Sequence, residues 1–462
     1  MNAENEVSTG GASVNLAEGS IGKLLLKLAL PATVAQVVNL LYNMVDRIFI
    51  GHIPKTGDIA LTGLGLCFPI LMLISAFASL VGSGGAPQAA IAMGKGDKKT
   101  AEKILGNCVG FLVVIAVILT IVLEFTAEPI LVLFGASGKT LPYALSYIRI
   151  YVMGSLFVML SLGLNTFITT QGFASVAMKT VIIGAACNII LDPILIFGLH
   201  MGVKGAALAT IISQAVSAAW VILFLTGKKT QLRIKKEYLK PNTKILLPVF
   251  VLGVSPFIMQ ATESILNIAF NSSLSKYGGD VAVGAMTILA SIMQFMMLPA
   301  QGLAQGAQPI MSFNYGAGNA KRVKETIRLL IFICTGYTLL FWAIIQLFPE
   351  VIVTIFNSES PELLSTTVWA IRIYIAVTGI FGIQMAIQQV FVSLGQAKLS
   401  LIVAILRKIV LLIPLIYILP LLLKDKIFAV FLAEPVADFI SVVVCLTLFL
   451  ANIKKILAKP AE

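Results

Sequence analysis

The sequence predicts an all-α polytopic membrane protein with twelve transmembrane helices, divided into two six-helix repeats around a central cleft. Three observations support this prediction. The composition is 58% hydrophobic and only 12% charged, with a mean hydropathy of +0.98, outside the range of soluble globular domains. About twelve apolar segments are each long enough to cross a bilayer. The second half of the chain also repeats the pattern of the first.

A transmembrane helix needs about 20 mainly apolar residues. The segments that meet this condition are 22–50, 58–82, 104–126, 143–170, 178–200, 205–226, 245–275, 281–312, 326–348, 366–394, 399–420 and 427–451. The longest polar connection separates the first six from the last six. The expected divisions are an N-terminal tail (1–21), an N-lobe (22–226), a linker loop (227–244), a C-lobe (245–451) and a C-terminal tail (452–462).

The net charge of +12 is concentrated at the termini and in alternate loops, which argues against a basic stripe for nucleic acid. The basic loops are 95–103, 171–179, 228–244, 321–328 and 398–408. Positively charged loops stay in the cytoplasm. The distribution therefore predicts a multi-pass protein of the cytoplasmic membrane, embedded in the lipid bilayer, with both tails and the linker loop in the cytoplasm.

Residue patterns that serve other classes of function are missing or scattered. The five cysteines lie singly in apolar segments and the two histidines are far apart, so neither a disulfide framework nor a metal site is predicted. No nucleophile–base constellation indicates an enzyme. The glycine-rich stretch 82–96 lacks the GxxxxGK[ST] spacing of a phosphate-binding loop. We therefore expect no cofactor, and we expect an ion gradient to supply the energy.

Sequence features recur between the two halves at an offset of about 223 residues. The motif IRIY occurs at 148–151 and again at 371–374. The glycine-rich stretches 82–96 and 302–318 also correspond, and each is expected to form a turn after a span. Because both repeats begin in the cytoplasm and contain six segments, an axis along the membrane normal should relate them. Such parallel lobes are typical of transporters that rock around a central site.

The first apolar segment carries polar residues on one helical face. They are Gln36, Asn39, Asn43 and Asp46. Pro31 removes a backbone hydrogen bond from the same segment and provides a hinge. A charge in the hydrocarbon core costs about 3 kcal/mol, so this face should line a cavity. Asp46 is then an ion or proton site, unless it pairs with the adjacent Arg47.

The fifth segment adds a second acid. Asn188 and Asp192 lie one helical turn apart, directly before a proline. If Asp192 lies near Asp46, mutual repulsion and burial favour the binding of a proton by the pair. The same oxygens, together with the hydroxyl of Thr210, are also suited to Na⁺, a hard cation that prefers oxygen ligands. The sequence does not separate H⁺ from Na⁺ as the coupling ion.

Polar and methionine residues of the C-lobe are expected to line the cleft and bind substrate, together with Gln36, Asn39 and Asn43. The C-lobe members are Gln260, Glu263, Asn267, Met293, Met297, Gln305, Gln384 and Gln388. An acid can pair with a lipophilic cation, and methionine thioethers adapt to varied apolar ligands. Each methionine is equally compatible with ordinary core packing. Glu434 and Asp438, one turn apart, are further buried-acid candidates without an assigned role.

Three stretches carry a family resemblance. They are LPATVAQVVNLLYNMVDRIFIG, NIILDPILIFGL followed by GVKGAALAT, and GLAQGAQPIMSFNYGAGN. They resemble the multidrug and toxic compound extrusion (MATE) transporters, especially the MepA/DinF-like bacterial branch. The resemblance implies a V-shaped pair of six-helix bundles in a bacterial membrane, exchanging drug for H⁺ or Na⁺ with a bend at Pro31. Carried over by position, it implies a coupling site of Asp46, Asn188, Asp192 and Thr210.

One departure from the family favours this N-lobe site. Another branch carries an acid in span ten, where this sequence has Gln384 or Met385. The expected function is a monomeric antiporter that exports amphipathic, mainly cationic small molecules by rocker-type alternating access. Two alternatives stay open: an exporter of a specific metabolite and a lipid-carrier flippase. A flippase would need central arginines, whereas the basic residues expected inside the membrane are only Arg47, Arg149 and Arg372.

Overall fold

A computed structural model describes residues 13–356 and 360–458, and within these ranges every regular element is a helix. The outer ends of the two predicted tails, 1–12 and 459–462, lie outside the described residues. The helices of the first half are α1 (Ile21–Gly51), α2 (Gly57–Gly94), α3 (Lys98–Leu133), α4 (Leu141–Met153), α5 (Ser155–Thr170), α6 (Ala174–Pro193) and α7 (Val203–Thr226). A π-helical turn, Ile194–Gly198, extends α6.

The second half begins with the longest helix of the described chain. Its helices are α8 (Thr243–Gly316), α9 (Ala320–Leu347), α10 (Pro349–Phe356), α11 (Pro361–Tyr374), α12 (Thr378–Ser393), α13 (Ala397–Ile405), α14 (Ile413–Leu422) and α15 (Lys426–Ala458). A π-helical segment, Leu406–Leu412, joins α13 to α14. Gly279 breaks α8 with a φ of 62°, a backbone angle that glycine adopts without steric cost.

The described helices account for the twelve predicted spans. Nine helical segments of the described chain are long and apolar enough to cross a membrane, with α13, the π-helical segment and α14 counted as one. Two bent pairs each make one more span: α4 with α5, bent by 58°, and α11 with α12, bent by 51°. The break at Gly279 divides α8 into two spans, which completes the twelve. The predicted fold class is therefore confirmed.

The two glycine-rich stretches differ from the prediction. They are not turns: α2 continues to Gly94 and α8 continues to Gly316. The chain turns only at the last residue of each stretch, Gly96 and Gly318, where φ is 78° and 73°. An N-cap side chain then starts the next helix in each half, because Asp97 accepts a hydrogen bond from the Thr100 N–H and Asn319 accepts one from the Arg322 N–H.

The glycines inside α2 and α8 allow the two lobes to touch backbone to backbone. A Cβ atom placed on Gly84 would lie 2.1 Å from the Val249 carbonyl oxygen, and one on Gly253 would lie 1.9 Å from that of Leu80. A Cβ on Gly316 would lie 2.1 Å from the Ile91 oxygen. Any larger residue would therefore separate the helices, so the close seam between the lobes depends on these glycines.

Helix α1 belongs to the packing of both lobes. Its first turns, including Leu25 and Leu28, are buried in an apolar cluster with residues of α8, α9 and α12. Its last residues pack differently, because Ile50 is buried in the core of the N-lobe. Pro31 lies between these two regions, inside a helix that is continuous from Ile21 to Gly51. Pro31 therefore lies where α1 passes from packing on the C-lobe to packing in the N-lobe.

The linker between the lobes is attached to the N-lobe. The Gln171 Oε1 accepts hydrogen bonds from the Thr230 hydroxyl and from the backbone N–H groups of Gln231 and Leu232, each at 2.8 Å. Further along the linker, Lys235 forms an ion pair of 2.6 Å with the buried Glu102 of α3. These contacts hold the polar connection against the ends of α3 and α5.

Candidate cation site and cleft

The two predicted N-lobe acids are both buried and lie close together. Asp46 on α1 is 8% exposed, and Asp192 on α6 is fully buried. Their carboxyl groups are near enough to interact electrostatically. Helix packing explains this proximity, because α1 lies against α6 along much of its length. The structure therefore brings together the two carboxylates that the sequence singled out.

Several oxygen atoms at this position have no hydrogen-bond partner. Asn188 donates a hydrogen bond of 3.3 Å from Nδ2 to the Oδ1 of Asp192. The Asn188 Oδ1, the Asp192 Oδ2 and the Asp46 Oδ1 are buried and unpartnered. A buried polar atom that lacks a partner costs about 1–3 kcal/mol, and more when it is charged. Such a set of inward-facing oxygens fits a bound proton or a small monovalent cation.

The alternative in which Asp46 is neutralised by Arg47 is not supported. None of the ion pairs among the described residues involves Asp46 or Asp192. The Arg47 guanidinium instead lies 5.9 Å from the ring centre of Phe68. The adjacent positive charge still attracts Asp46 at a distance, but it leaves the two carboxylates without a direct basic partner.

The structure adds three residues that the sequence interpretation missed. The Tyr42 hydroxyl lies beside Gln214 and close to both acids. The Tyr147 hydroxyl lies beside Thr210, whose own hydroxyl donates to the Ala206 carbonyl on its helix. Helical spacing could have found two of the three, because Tyr42 precedes Asp46 by four residues and Gln214 follows Thr210 by four. Nothing in the sequence indicates Tyr147.

Two of the expected substrate-binding residues meet across the lobes. The Gln36 Nε2 on α1 donates a hydrogen bond of 3.2 Å to the Gln305 Oε1 on α8. Asn39 and Asn43 lie on the same face of α1, and the Asn43 side chain donates to the Asn39 carbonyl. The polar stripe of α1 therefore faces the C-lobe at one end and the acid site at the other.

The polar stripe of α8 contains an ion pair that the sequence did not predict. Gln260 is half-buried, while Glu263 and Asn267 are exposed. The Glu263 carboxylate accepts a hydrogen bond from the ammonium of Lys408. The same ammonium donates to the Met259 carbonyl at 2.9 Å. The exposed acid of this stripe is therefore already paired with a base.

A second ion cluster lies beside it. Arg407 forms ion pairs of 2.8 Å with Glu434 and 2.6 Å with Asp438, and its guanidinium covers the Phe381 ring at 4.4 Å from the ring centre. Both acids are buried, as the sequence suggested. The buried arginine gives them a partner and a structural role.

The assignment of Arg407 and Lys408 to a cytoplasmic loop was wrong. Both side chains are buried within the span that runs from Ala397 to Leu422. The sequence itself indicates that the pair lies inside a span, because apolar residues flank it for about two helical turns on each side. The pair lies on the π-helical segment before Pro414, where a widened turn relieves the clash between the proline ring and the preceding turn.

The remaining candidates lie inside the C-lobe. Met297 is buried in its apolar core and Met293 packs against that core. Gln384 is buried, with an unpartnered Oε1. Gln388 donates from Nε2 to the hydroxyls of Ser255 and Ser400, each at 2.8 Å. In this conformation these side chains support the packing of the C-lobe, and whether they contact substrate stays a prediction.

The comparison with known proteins agrees with this architecture. The sequence model of the MatE family matches twice, at residues 31–194 and 256–418, one match in each half. Together these matches cover more than half of the chain. The chain belongs to the MATE family. The expectation that it is not an enzyme is confirmed by this membership, and the protein is a multi-pass membrane transporter.

Relatives and solved structures support the same assignment. The multidrug export protein MepA of Staphylococcus haemolyticus is 27% identical over 434 residues, 93% of this chain and 94% of that protein. MepA of Staphylococcus aureus strain NCTC 8325 is 24% identical over 89% of this chain and 90% of its own length. A multidrug resistance MATE transporter of the MOP superfamily in an outward-facing conformation has a TM-score of 0.87 at 25% identity, covering 98% and 100% of the two chains.

Proposed function

We propose that this MATE transporter is a multidrug efflux antiporter of a bacterial cytoplasmic membrane, which exports amphipathic, mainly cationic compounds in exchange for H⁺ or Na⁺. The observation that carries the proposal is the N-lobe site, where Asp46 and Asp192 are buried next to each other without a basic partner. Intramembrane acids of this kind mark ion and proton pathways. The MepA relatives supply the multidrug specificity in this proposal.

The donor set supports either ion. Two neighbouring carboxylates without a direct basic partner can share one proton. The same carboxylates with the Asn188 oxygen form an oxygen-only set for Na⁺. Among the described residues, no group of three His, Cys, Asp or Glu side chains could hold a metal ion, so a sodium site here would need the amide oxygen and neighbouring hydroxyls as well.

Helix α1 provides the physical connection between ion and substrate. Its Asp46 end lies in the N-lobe site, whereas its first turns pack on the C-lobe. Binding of a cation from outside removes the repulsion between the acids and changes the packing of α1 around Pro31. Antiport needs only that the ion and the drug prefer different states of the lobes. We place both tails and the linker in the cytoplasm and treat one chain as the functional unit.

The flippase alternative is weakened by the two buried basic residues. Arg407 is paired with Glu434 and Asp438, and Lys408 with Glu263. An anionic lipid headgroup would therefore find no uncompensated basic group in this cluster. No observation favours a particular metabolite over a multidrug spectrum.

The test uses everted membrane vesicles that contain the protein and ethidium as a fluorescent cation. A proton gradient and a sodium gradient are imposed separately, and uptake by the wild type is compared with that of the Asp46→Asn and Asp192→Asn variants. We expect uptake with one gradient, which both variants reduce to the level of empty vesicles. Asp58→Asn serves as the matched control, since Asp58 is an exposed acid at the start of α2.

Two results would contradict the proposal. Wild-type uptake by both N-lobe variants would show that the coupling site lies elsewhere. Absence of uptake with either gradient, in vesicles that contain folded protein, would reject the export of cationic drugs and favour the metabolite exporter.

A further inference from the structure

Glu263 lies on the polar stripe of α8, and its surroundings are asymmetric. Its side chain is 52% exposed, whereas the side chain of its partner Lys408 is only 3% exposed. Ionisable groups within membrane spans face protein or a water-filled cavity rather than lipid, so we infer that the exposed side of Glu263 faces the cleft and that the base lies behind it, within the C-lobe. A substrate that approaches Glu263 meets the carboxylate first and the ammonium as a fixed charge beyond it.

Two contacts fix the position of Lys408 behind Glu263. Its ammonium donates to the carboxylate of Glu263 and to the Met259 carbonyl on the same helix. An ammonium at this depth stays charged only while such partners compensate for the lost water. The neighbouring acids Glu434 and Asp438 are occupied by Arg407, so Lys408 has Glu263 as its direct ionic partner.

We propose that Lys408 sets the charge selectivity of the transporter by compensating the cleft-facing carboxylate of Glu263. This inference rests on the proposed function, because it specifies which drugs the same cleft accepts. The Glu263–Lys408 pair is neutral overall, so the cleft gains little from a second positive charge on the substrate. The exposed carboxylate still attracts a singly charged amphiphile, but dications have no advantage over monocations.

The expected size of the effect follows from Coulomb's law. At an effective dielectric constant of about 20, a unit charge some 5 Å away changes the affinity for a second unit charge by roughly a hundredfold. Screening and water in an open cleft reduce this figure, so a change of about tenfold in relative affinity is a conservative expectation. Removing Lys408 should therefore increase the affinity for a dication, relative to that for a monocation, about tenfold.

Ethidium and propidium are suitable probes because they share one fluorescent ring system and carry one and two positive charges. Their dissociation constants are measured by fluorescence anisotropy on purified protein in detergent, for the wild type, Lys408→Met, Glu263→Gln and the double variant. We expect the propidium-to-ethidium affinity ratio to rise about tenfold in Lys408→Met and to fall below the wild-type value in Glu263→Gln. The double variant should return the ratio to the wild-type value.

The affinity ratio separates a charge effect from a loss of structure. A merely structural role for Lys408 would weaken both probes equally, and a ratio unchanged in Lys408→Met would overturn the proposal. Lys276→Met is the matched control, since Lys276 is exposed and lies over the Tyr277 ring rather than near Glu263. If the folded wild type binds neither probe, the proposed function fails together with this inference. Binding with an unchanged ratio rejects the inference alone.

Discussion

Each lobe buries two acids, but the two lobes treat them differently. In the N-lobe, Asp46 and Asp192 come from two helices, and Asp192 follows Asn188 by one turn beside a proline; in the C-lobe, Glu434 and Asp438 are one turn apart on one helix, also beside a proline. The N-lobe acids have no ion-pair partner among the described residues, whereas Arg407 reaches both C-lobe acids from another helix. A local motif therefore does not determine whether a buried acid is available to an ion. Availability depends on whether a neighbouring helix supplies a basic partner.

This difference assigns separate tasks to the lobes. Under the proposed function, the unpaired acids raise the free energy of the empty N-lobe site, and binding of a cation from outside lowers it. Paired acids in the C-lobe are already compensated, so they hold α15 against the span that carries Arg407. The comparison predicts that removing a charge has opposite consequences in the two lobes.

The largest effect is expected for Arg407→Met. It leaves Glu434 and Asp438 buried without their base, and breaking a buried ion pair in this way costs about 3–5 kcal/mol. We expect a large fall in the midpoint of thermal unfolding in detergent, or failure to accumulate folded protein. The triple variant Arg407→Met, Glu434→Gln, Asp438→Asn removes all three charges and should recover most of the stability. A triple variant as unstable as Arg407→Met would show that packing of the arginine, and not its charge, matters.

The next effect concerns ligand binding to the N-lobe site. A cation that binds only the folded state adds about 2.7 kcal/mol at a concentration one hundred times its dissociation constant. If Na⁺ is the coupling ion, increasing NaCl in place of choline chloride should raise the unfolding temperature of the wild type and not that of Asp192→Asn. The exposed-acid control Asp58→Asn should respond like the wild type. An equal response of the wild type and Asp192→Asn would exclude a sodium site at these acids and leave the proton.

A smaller effect, of opposite sign to the first, is expected for the stability of Asp192→Asn without sodium. The substitution removes a buried carboxylate that has no base, and since an unpaired buried charge is costly, a neutral group of the same shape should be tolerated without loss of stability or with a small gain. Thermal unfolding should therefore show an unchanged or higher midpoint while ethidium transport is lost. A clear loss of stability would mean that Asp192 has a compensating partner in the protein, and the contrast between the lobes would fail.

Much of this contrast could be read from the sequence, and the rest depends on packing. Spans, repeats and the polar stripe of α1 follow from hydropathy and helical spacing, so Asp46 and Asp192 were found. Arg407 and Lys408 were misplaced because a basic pair near a predicted loop was counted with that loop. Their partners come from α8 and α15, at distances along the chain that no local pattern encodes. Tyr147 was missed for the same reason, since it approaches Thr210 only through the packing of α4 on α7.

The smallest effect tests a third environment, the edge of the N-lobe, where Lys235 is partly exposed and pairs with the buried Glu102. The hydrogen bond to Glu102 raises the pKa of Lys235 above its usual value. Its contribution to stability is therefore complete below the ordinary lysine pKa of about 10.4 and is lost as the pH rises through the higher folded-state value. Lys235→Met should lower the unfolding midpoint slightly at pH 7, by much less than Arg407→Met does. The difference from the wild type should shrink toward pH 11 and in high salt. Glu102 keeps a backbone hydrogen bond from Arg233 in this variant, which limits the loss. A loss as large as that in Arg407→Met would show that exposure of one partner does not weaken an ion pair here, and that burial alone does not explain the difference between the lobes.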